Sequence, residues 1–249
     1  MNARIVIASL VLSTISTLAV AQETYKFEYK LKPGEQIVSK IYHEAQTQTN
    51  ISGVQEDSSS QTTSIKVWDV QSATKNDITF VYSIDSVDMR QSIGGGEEVK
   101  YNSQTDQEAP RVFERVAETV QKPLATITIN RVGEVLKRDN ELKSPLMGIG
   151  DLTVPLPAEP VAVGAQWHVP RDLRVRLENG SFKIIKIREM YKLEKVSTGV
   201  YNSHGISATN ARYRSGRRSS VDTAAQQGSI KFDLDNGRFL SKKLDWVRM

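Results

Sequence analysis

Three histidines, His43, His168 and His204, are the side chains of this chain with the widest chemical repertoire near neutral pH. A metal site needs several donors on one face, and no two of the three stand at a ligand spacing such as H-x-x-x-H. His43 and Glu44 are neighbours in an alternating run, so on a strand they point to opposite faces and cannot hold one ion together. His168 follows Trp167 at the edge of an apolar segment and reads as a packing or surface residue. His204, in Asn202-Ser203-His204-Gly205, reads as a turn residue. Cysteine is absent, which excludes a disulfide framework, a thiolate nucleophile and a cysteine zinc site. There is no G-x-S-x-G elbow for a serine nucleophile. Gly94-Gly95-Gly96 lacks the Lys-Ser/Thr of a phosphate loop and is followed by Glu97-Glu98, which would repel phosphate; it reads as a hairpin tip. Carboxylates are plentiful and a hydrolase-type acidic pair stays open, but no pair stands out. The residues therefore assign no catalytic group, no metal and no cofactor.

Charge carries more information. Residues 22–110 hold 8 Lys and Arg against 14 Asp and Glu, whereas residues 111–249 hold 24 against 15. Within 171–218, Arg174 and Arg176 share a strand face, as do Arg212 and Arg214, with Arg217 and Arg218 close behind. Aligned on neighbouring strands, these arginines make a basic surface for an anionic polymer or lipid headgroup. The competing expectation is a solvated face paired with the acidic half. Aromatic residues are not interleaved with the basic run as a nucleic-acid stacking platform requires, so nucleic acid is excluded as a partner.

The elements that must position these residues alternate with period two. Tyr25, Phe27, Tyr29 and Leu31 alternate with charged residues, and the same habit recurs over 78–84, 125–129, 173–177 and 230–234. Alternation marks strands with one buried and one wet face, which is an antiparallel habit. Asn179-Gly180, Asn236-Gly237, Gly133 and Lys32-Pro33-Gly34-Glu35 supply turns. The apolar phase slips between Ile84 and Val87, which predicts a bulge. Residues 106–122 break the pattern. Val112, Val116 and Val120 fall four apart, Asp106 offers a cap and Pro123 a stop, which predicts a helix of three or four turns. The polar stretches 53–61 and 91–98 read as loops. The segment 144–165, apolar despite four prolines, reads as a wrap over the core or a lid, with a weak seam near 140–165. The expected fold is mainly β with one central amphipathic helix: a curved antiparallel sheet or partly open β-barrel packing on that helix.

Residues 1–21, MNARIVIASLVLSTISTLAVA, have the form of a secretory signal: Arg4, an apolar stretch, then Ala19-Val20-Ala21 before Gln22. The apolar stretch falls short of the roughly 20 residues that span a bilayer. The expectation is cleavage, export to the periplasm or beyond, no integral membrane segment afterwards, and one β-rich domain over 22–249.

Gly133-Glu134-Val135 after an alternating strand, Leu156-Pro157 with Pro160-Val161, Val163-Gly164 and Trp167, Tyr191-x-Leu193-x-x-Val196, and Gly228-x-Ile230-x-Phe232-Asp233 with Asn236-Gly237-Arg238 form a recognisable series. It resembles a family of secreted planctomycete-like bacterial proteins, a domain of unknown function, across most of the chain. These are turn and core positions, so the resemblance implies fold and nothing of activity. The layout is also similar to the half-barrel periplasmic carriers of lipoproteins and lipids, by architecture alone. The functional expectation is a non-catalytic envelope protein that holds a hydrophobic or lipid ligand in the concave sheet. That cleft would be lined by Tyr25, Phe27, Phe80 and Tyr82, with Val112 and Val116 from the helix. The alternatives are an anion-binding module over 171–218, acting through the arginines named above, and a hydrolase with an unrecognised acidic pair.

Overall fold

A computed structural model describes residues 22–51, 53–140, 153–176, 181–197, 204–209 and 224–248. In chain order the strands are β1 (Thr24–Tyr25), β2 (Gln36–Ile51), β3 (Val54–Ala73), β4 (Asp77–Ile93), β5 (Val99–Asn102), β6 (Pro123–Asn130), β7 (Val135–Asn140), β8 (Val161–Ala162), β9 (Gln166–Arg176), β10 (Phe182–Val196), β11 (His204–Thr209), β12 (Ala224–Asp233) and β13 (Arg238–Arg248), with a single helical turn, α1 (Glu114–Ala117). One sheet runs β2-β3-β4-β6-β7, with β5 sharing the β4 edge; a second runs β13-β12-β11-β10-β9; β1 pairs with β8. Every pairing of these strands is antiparallel. The chain is thus mainly β, in curved sheets that are not closed into a barrel.

The inward positions meet in one continuous core. Ile78, Phe80 and Tyr82 of β4, Ala125, Ile127 and Ile129 of β6, and Trp68 and Val70 of β3 face Tyr191 and Leu193 of β10 and Ile230 and Phe232 of β12. Phe27, Tyr29 and Leu31 belong to the same core, with Val154 and Leu156. The Phe27 and Tyr29 rings lie 5.8 and 5.7 Å from Phe232. Trp68 stacks on Phe80 at 4.5 Å and meets Phe239 of the other sheet at 6.1 Å. Interlocked aromatic pairs of this kind add to what plain area burial contributes.

The expected strand over 25–31 is a ladder strand only at Thr24–Tyr25. Residues 26–31 are extended without a partner strand, and their backbone groups are met singly. The Tyr29 N–H donates to the Arg131 carbonyl at 2.8 Å, and the Lys30 N–H to the Gly237 carbonyl at 3.1 Å. Two hairpin turns, one from each sheet, close on this segment. Gly133 (φ 83°), between β6 and β7, leaves space that a Cβ would share with Tyr29 Cε2 at 2.6 Å. Gly237 (φ 60°), between β12 and β13, leaves space that a Cβ would share with the Lys30 backbone nitrogen. Both turns follow the sequence expectation. The β9–β10 hairpin forms as well, with Arg176 opposite Phe182, although its Asn179-Gly180 turn lies outside the described residues.

The phase slip after Ile84 is a bulge: Lys66 faces Ile84, but Ile65 faces Ser86. The extra residue is Asp85, and it returns Val87 and Met89 to the face of Phe80 and Tyr82. There a second cluster forms from Val87, Tyr101 and Phe113, with Ile84, Met89, Val116, Ala117 and Val120 packed against it.

The central helix expected over 106–122 is corrected to one turn, α1. Ala117 donates to Phe113 and Glu118 to Glu114 at four-residue spacing, which makes the one α turn; on either side Phe113 donates to Pro110, Thr119 to Val116 and Val120 to Ala117 at three-residue spacing, so the helix does not propagate. Four β-branched residues in nine, Val112, Val116, Thr119 and Val120, lower helix propensity. The Thr119 hydroxyl returns to the Val116 carbonyl at 2.6 Å, competing with the ladder. The buried stripe becomes Phe113, Val116, Ala117 and Val120, and Val112 is 50 % exposed.

The loop expected over 53–61 is also corrected: residues 54–61 belong to β3. Strand β2 pairs with all of residues 54–61 and β4 joins on the other side from Ser58, so pairing overrides the weak strand propensity of the Ser-rich sequence. Within 91–98, residues 91–93 continue β4, and Gly94 and Gly95, both at positive φ, form the hairpin tip. His204 opens β11 opposite Val196 rather than sitting in a turn. Residues 153–157 wrap the core as expected, through Thr153, Val154 and Leu156; residues 144–152 lie outside the described residues.

Candidate functional site

The core-facing side of the first sheet changes character near β7. Register places Tyr82 beside Trp68 and Ala125, Ala125 opposite Asn140, and Ile127 opposite Arg138, so Arg138 and Asn140 share the face of the aromatic core. Lys66, opposite Ile84, lies on that face on the other side of Tyr82. Its ammonium sits 5.9 Å from the centroid of the Tyr82 ring. Arg138 Nε donates to Asn140 Oδ1 at 3.0 Å. At the centre stands the Tyr82 hydroxyl, on a side chain 0 % exposed, with no hydrogen-bond partner. A buried phenol without a partner costs of order 1–3 kcal/mol, so its persistence asks for a reason.

Burial pushes the Tyr82 phenol up to about 12, with the Arg138 charge pulling the other way. At neutral pH it is therefore a neutral O–H donor. Burial lowers Lys66 from the usual lysine range. A donor between two cationic side chains is chemically suited to a carboxylate or phosphate oxygen. Ile84, Ile37 and Ile41 continue the same face away from Tyr82, the first two half-buried and Ile41 exposed. The arrangement sets two cationic side chains and a phenol beside an apolar strip. Nothing in it resembles a nucleophile with a base, and no group of three or more His, Asp or Glu side chains among the described residues is placed to hold a metal ion.

Of the residues expected to line an apolar cleft, Phe27, Phe80 and Tyr82 are brought together as buried core. Tyr25 is half-buried at the edge of that core, opposite Val161. Val116 is half-buried in the second cluster and Val112 stands apart in solvent. Arg174 and Arg176 fall at alternate positions of β9, in register with Ile184 and Phe182. Arg212, Arg214, Arg217 and Arg218 lie outside the described residues, as do residues 1–21. Sequence reasoning missed Lys66, Arg138 and Asn140. Lys66 carried a signal, since it sits in phase with Trp68 and Val70, where an inward-facing strand calls for an apolar residue.

A second polar pair is buried at the other sheet. Tyr191 donates its hydroxyl to Glu189 Oε2 at 2.7 Å, and its ring stacks on Trp167 at 5.7 Å. This carboxylate is satisfied and built into the packing.

No helix among the described residues is long and apolar enough to cross a membrane. Comparison with family models, with curated proteins and with solved structures finds no match.

Proposed function

We propose that the protein is a non-catalytic, exported binding protein. Its ligand is an amphiphile whose anionic head accepts a hydrogen bond from the Tyr82 hydroxyl between Lys66 and Arg138, with its apolar part lying along Ile84, Ile37 and Ile41. The observation that carries this reading is the Tyr82 hydroxyl, buried without a partner between the charges of Lys66 and Arg138. Export rests on the signal-like residues 1–21. The structure supports a ligand at the rim of the aromatic core rather than within it, because Phe27, Phe80 and Phe232 already fill the centre.

Titration with a fluorescent long-chain fatty acid, against the matching fatty alcohol, tests the reading. Saturable binding of the acid and weaker binding of the alcohol are expected. Tyr82→Phe removes the donor and should weaken acid binding by about tenfold, the worth of a hydrogen bond to a charged group. The same substitution should raise the melting temperature of the empty protein, because it removes an unsatisfied buried group. No uptake of the acid, or equal uptake by Tyr82→Phe, overturns the reading.

A further inference from the structure

Strand β2 is an edge: among the described residues it pairs with β3 alone, and it runs for 16 residues. Edge strands of this length are ordinarily guarded against pairing with another chain by proline, by dense charge or by shortness. Among the described residues, the other three end strands of the two large sheets carry such guards. Edge β9 has Pro170 in its middle, β7 is six residues long with Lys137, Arg138 and Asp139, and β13 carries Lys242, Lys243 and Asp245. Strand β2 has no proline, and its charged residues are only Lys40 and Glu44. Around them Val38 is 60 % exposed and Tyr42 59 % exposed.

We infer that β2 is a dimerisation edge, pairing antiparallel with β2 of a second copy of this chain across a two-fold axis at Tyr42. The register follows from symmetry and charge. A two-fold axis that continues the sheet keeps each face on its own side, so directly opposed residues must share a face. Centring the axis on Lys40 or Glu44 sets like charges opposite each other. Centring it on Ile41 or His43 leaves both charges facing neutral residues. Centring it on Tyr42 places Lys40 opposite the second copy's Glu44, and by symmetry does so twice. Within one copy the Tyr42 hydroxyl already donates to Glu44 Oε2 at 3.0 Å, which holds that carboxylate on the face the incoming Lys40 shares. The same pairing meets the open backbone groups of residues 36–48 and covers part of Val38 and Tyr42.

Lys40, Tyr42 and Glu44 lie on the face of β2 opposite to Ile37 and Ile41, and the charge reversals change no residue of the Tyr82 site, so the inference is tested independently of the ligand reading. The test is sedimentation velocity on the purified chain across micromolar to sub-millimolar concentrations, with charge-reversal variants. The parent chain should dimerise. Lys40→Glu and Glu44→Lys should each weaken the dimer by about tenfold or more, since each sets two like-charge pairs face to face. Mixing the two single variants should restore a heterodimer of parental strength, and so should combining both changes in one chain. Restoration on mixing separates lost pairing from damaged folding. A monomer at every concentration overturns the inference. So does a dimer indifferent to the single reversals, or a failure of the mixed variants to associate.

Discussion

The Tyr29 hydroxyl donates to the Val154 carbonyl at 3.1 Å and accepts from the Val154 N–H at 2.9 Å, so one phenol closes both backbone groups of a segment that has no strand beside it. Tyr82, in the same core, closes nothing. The two differ in what the surrounding chain offers, which is why one reads as structure and the other as a site. Asp233 shows the same principle with a charge. Burial alone would raise its carboxyl, but the Asn236 side chain at 2.8 Å, the Asn236 and Asp235 N–H groups at 3.0 Å each and the Arg238 charge outweigh burial and hold it below the usual aspartate range. A carboxyl lowered by folding adds stability that is fully present above its ordinary pKa of about 4 and is lost as pH falls through the lowered value. Asp233→Asn should therefore cost about 1–2 kcal/mol at pH 7, and the gap to the parent should shrink steadily on acidification below about pH 4. Urea midpoints across that range measure it, and a pH-independent gap would show that the charge is not what stabilises the turn.

At the scale of elements, the turns show how a hairpin can act at a distance. Gly34, Gly133 and Gly237 all adopt positive φ, but a Cβ at Gly34 meets nothing within 4 Å, whereas one at Gly133 or Gly237 meets the N-terminal segment below 3 Å. Gly34→Ala should cost about 1 kcal/mol, the backbone penalty alone. Gly133→Ala and Gly237→Ala should each cost several-fold more, because Tyr29 and the Lys30 backbone have to move. Thermal melts of the three variants rank them, and equal costs would remove the clamp. Much of this scale was legible beforehand. Strand alternation, the turns at Gly34, Gly133 and Gly237, and the slip at Asp85 are local signals written in residue type. The 106–122 helix was misread because valines at four-residue spacing satisfy a helical pattern while their branched side chains oppose the helix itself. Residues 54–61 read as a loop because their Ser-rich composition carries no strand signal; their strand state comes from pairing with residues 44–51 and, from Ser58 on, with β4. The Lys66, Tyr82 and Arg138 grouping was illegible because it joins three strands whose order only the pairing reveals.

At the scale of the whole molecule, the N-terminal segment is the piece that neither sheet owns. Phe27 and Tyr29 contact Phe232 of the second sheet, while Arg131, at the β6–β7 turn of the first, donates to the Tyr29 carbonyl at 2.9 Å. Arg131 also reaches the carbonyls of Thr74 and Lys75 at the β3–β4 turn, so one guanidinium ties residue 29 to two turns of the first sheet. A linker between independent domains would be polar and would lie on the surface; this segment is apolar at every second position and sits in the core that both sheets share. The two sheets should then unfold as one unit. Phe27→Ala should cost about 3–5 kcal/mol, as removal of a fully buried aromatic does. By hydrogen exchange the loss should appear equally at the core amides of β4 and β6 and at those of β10 and β12. Loss of protection confined to one sheet would mean that the sheets are separate folding units, and that the N-terminal segment belongs to only one of them.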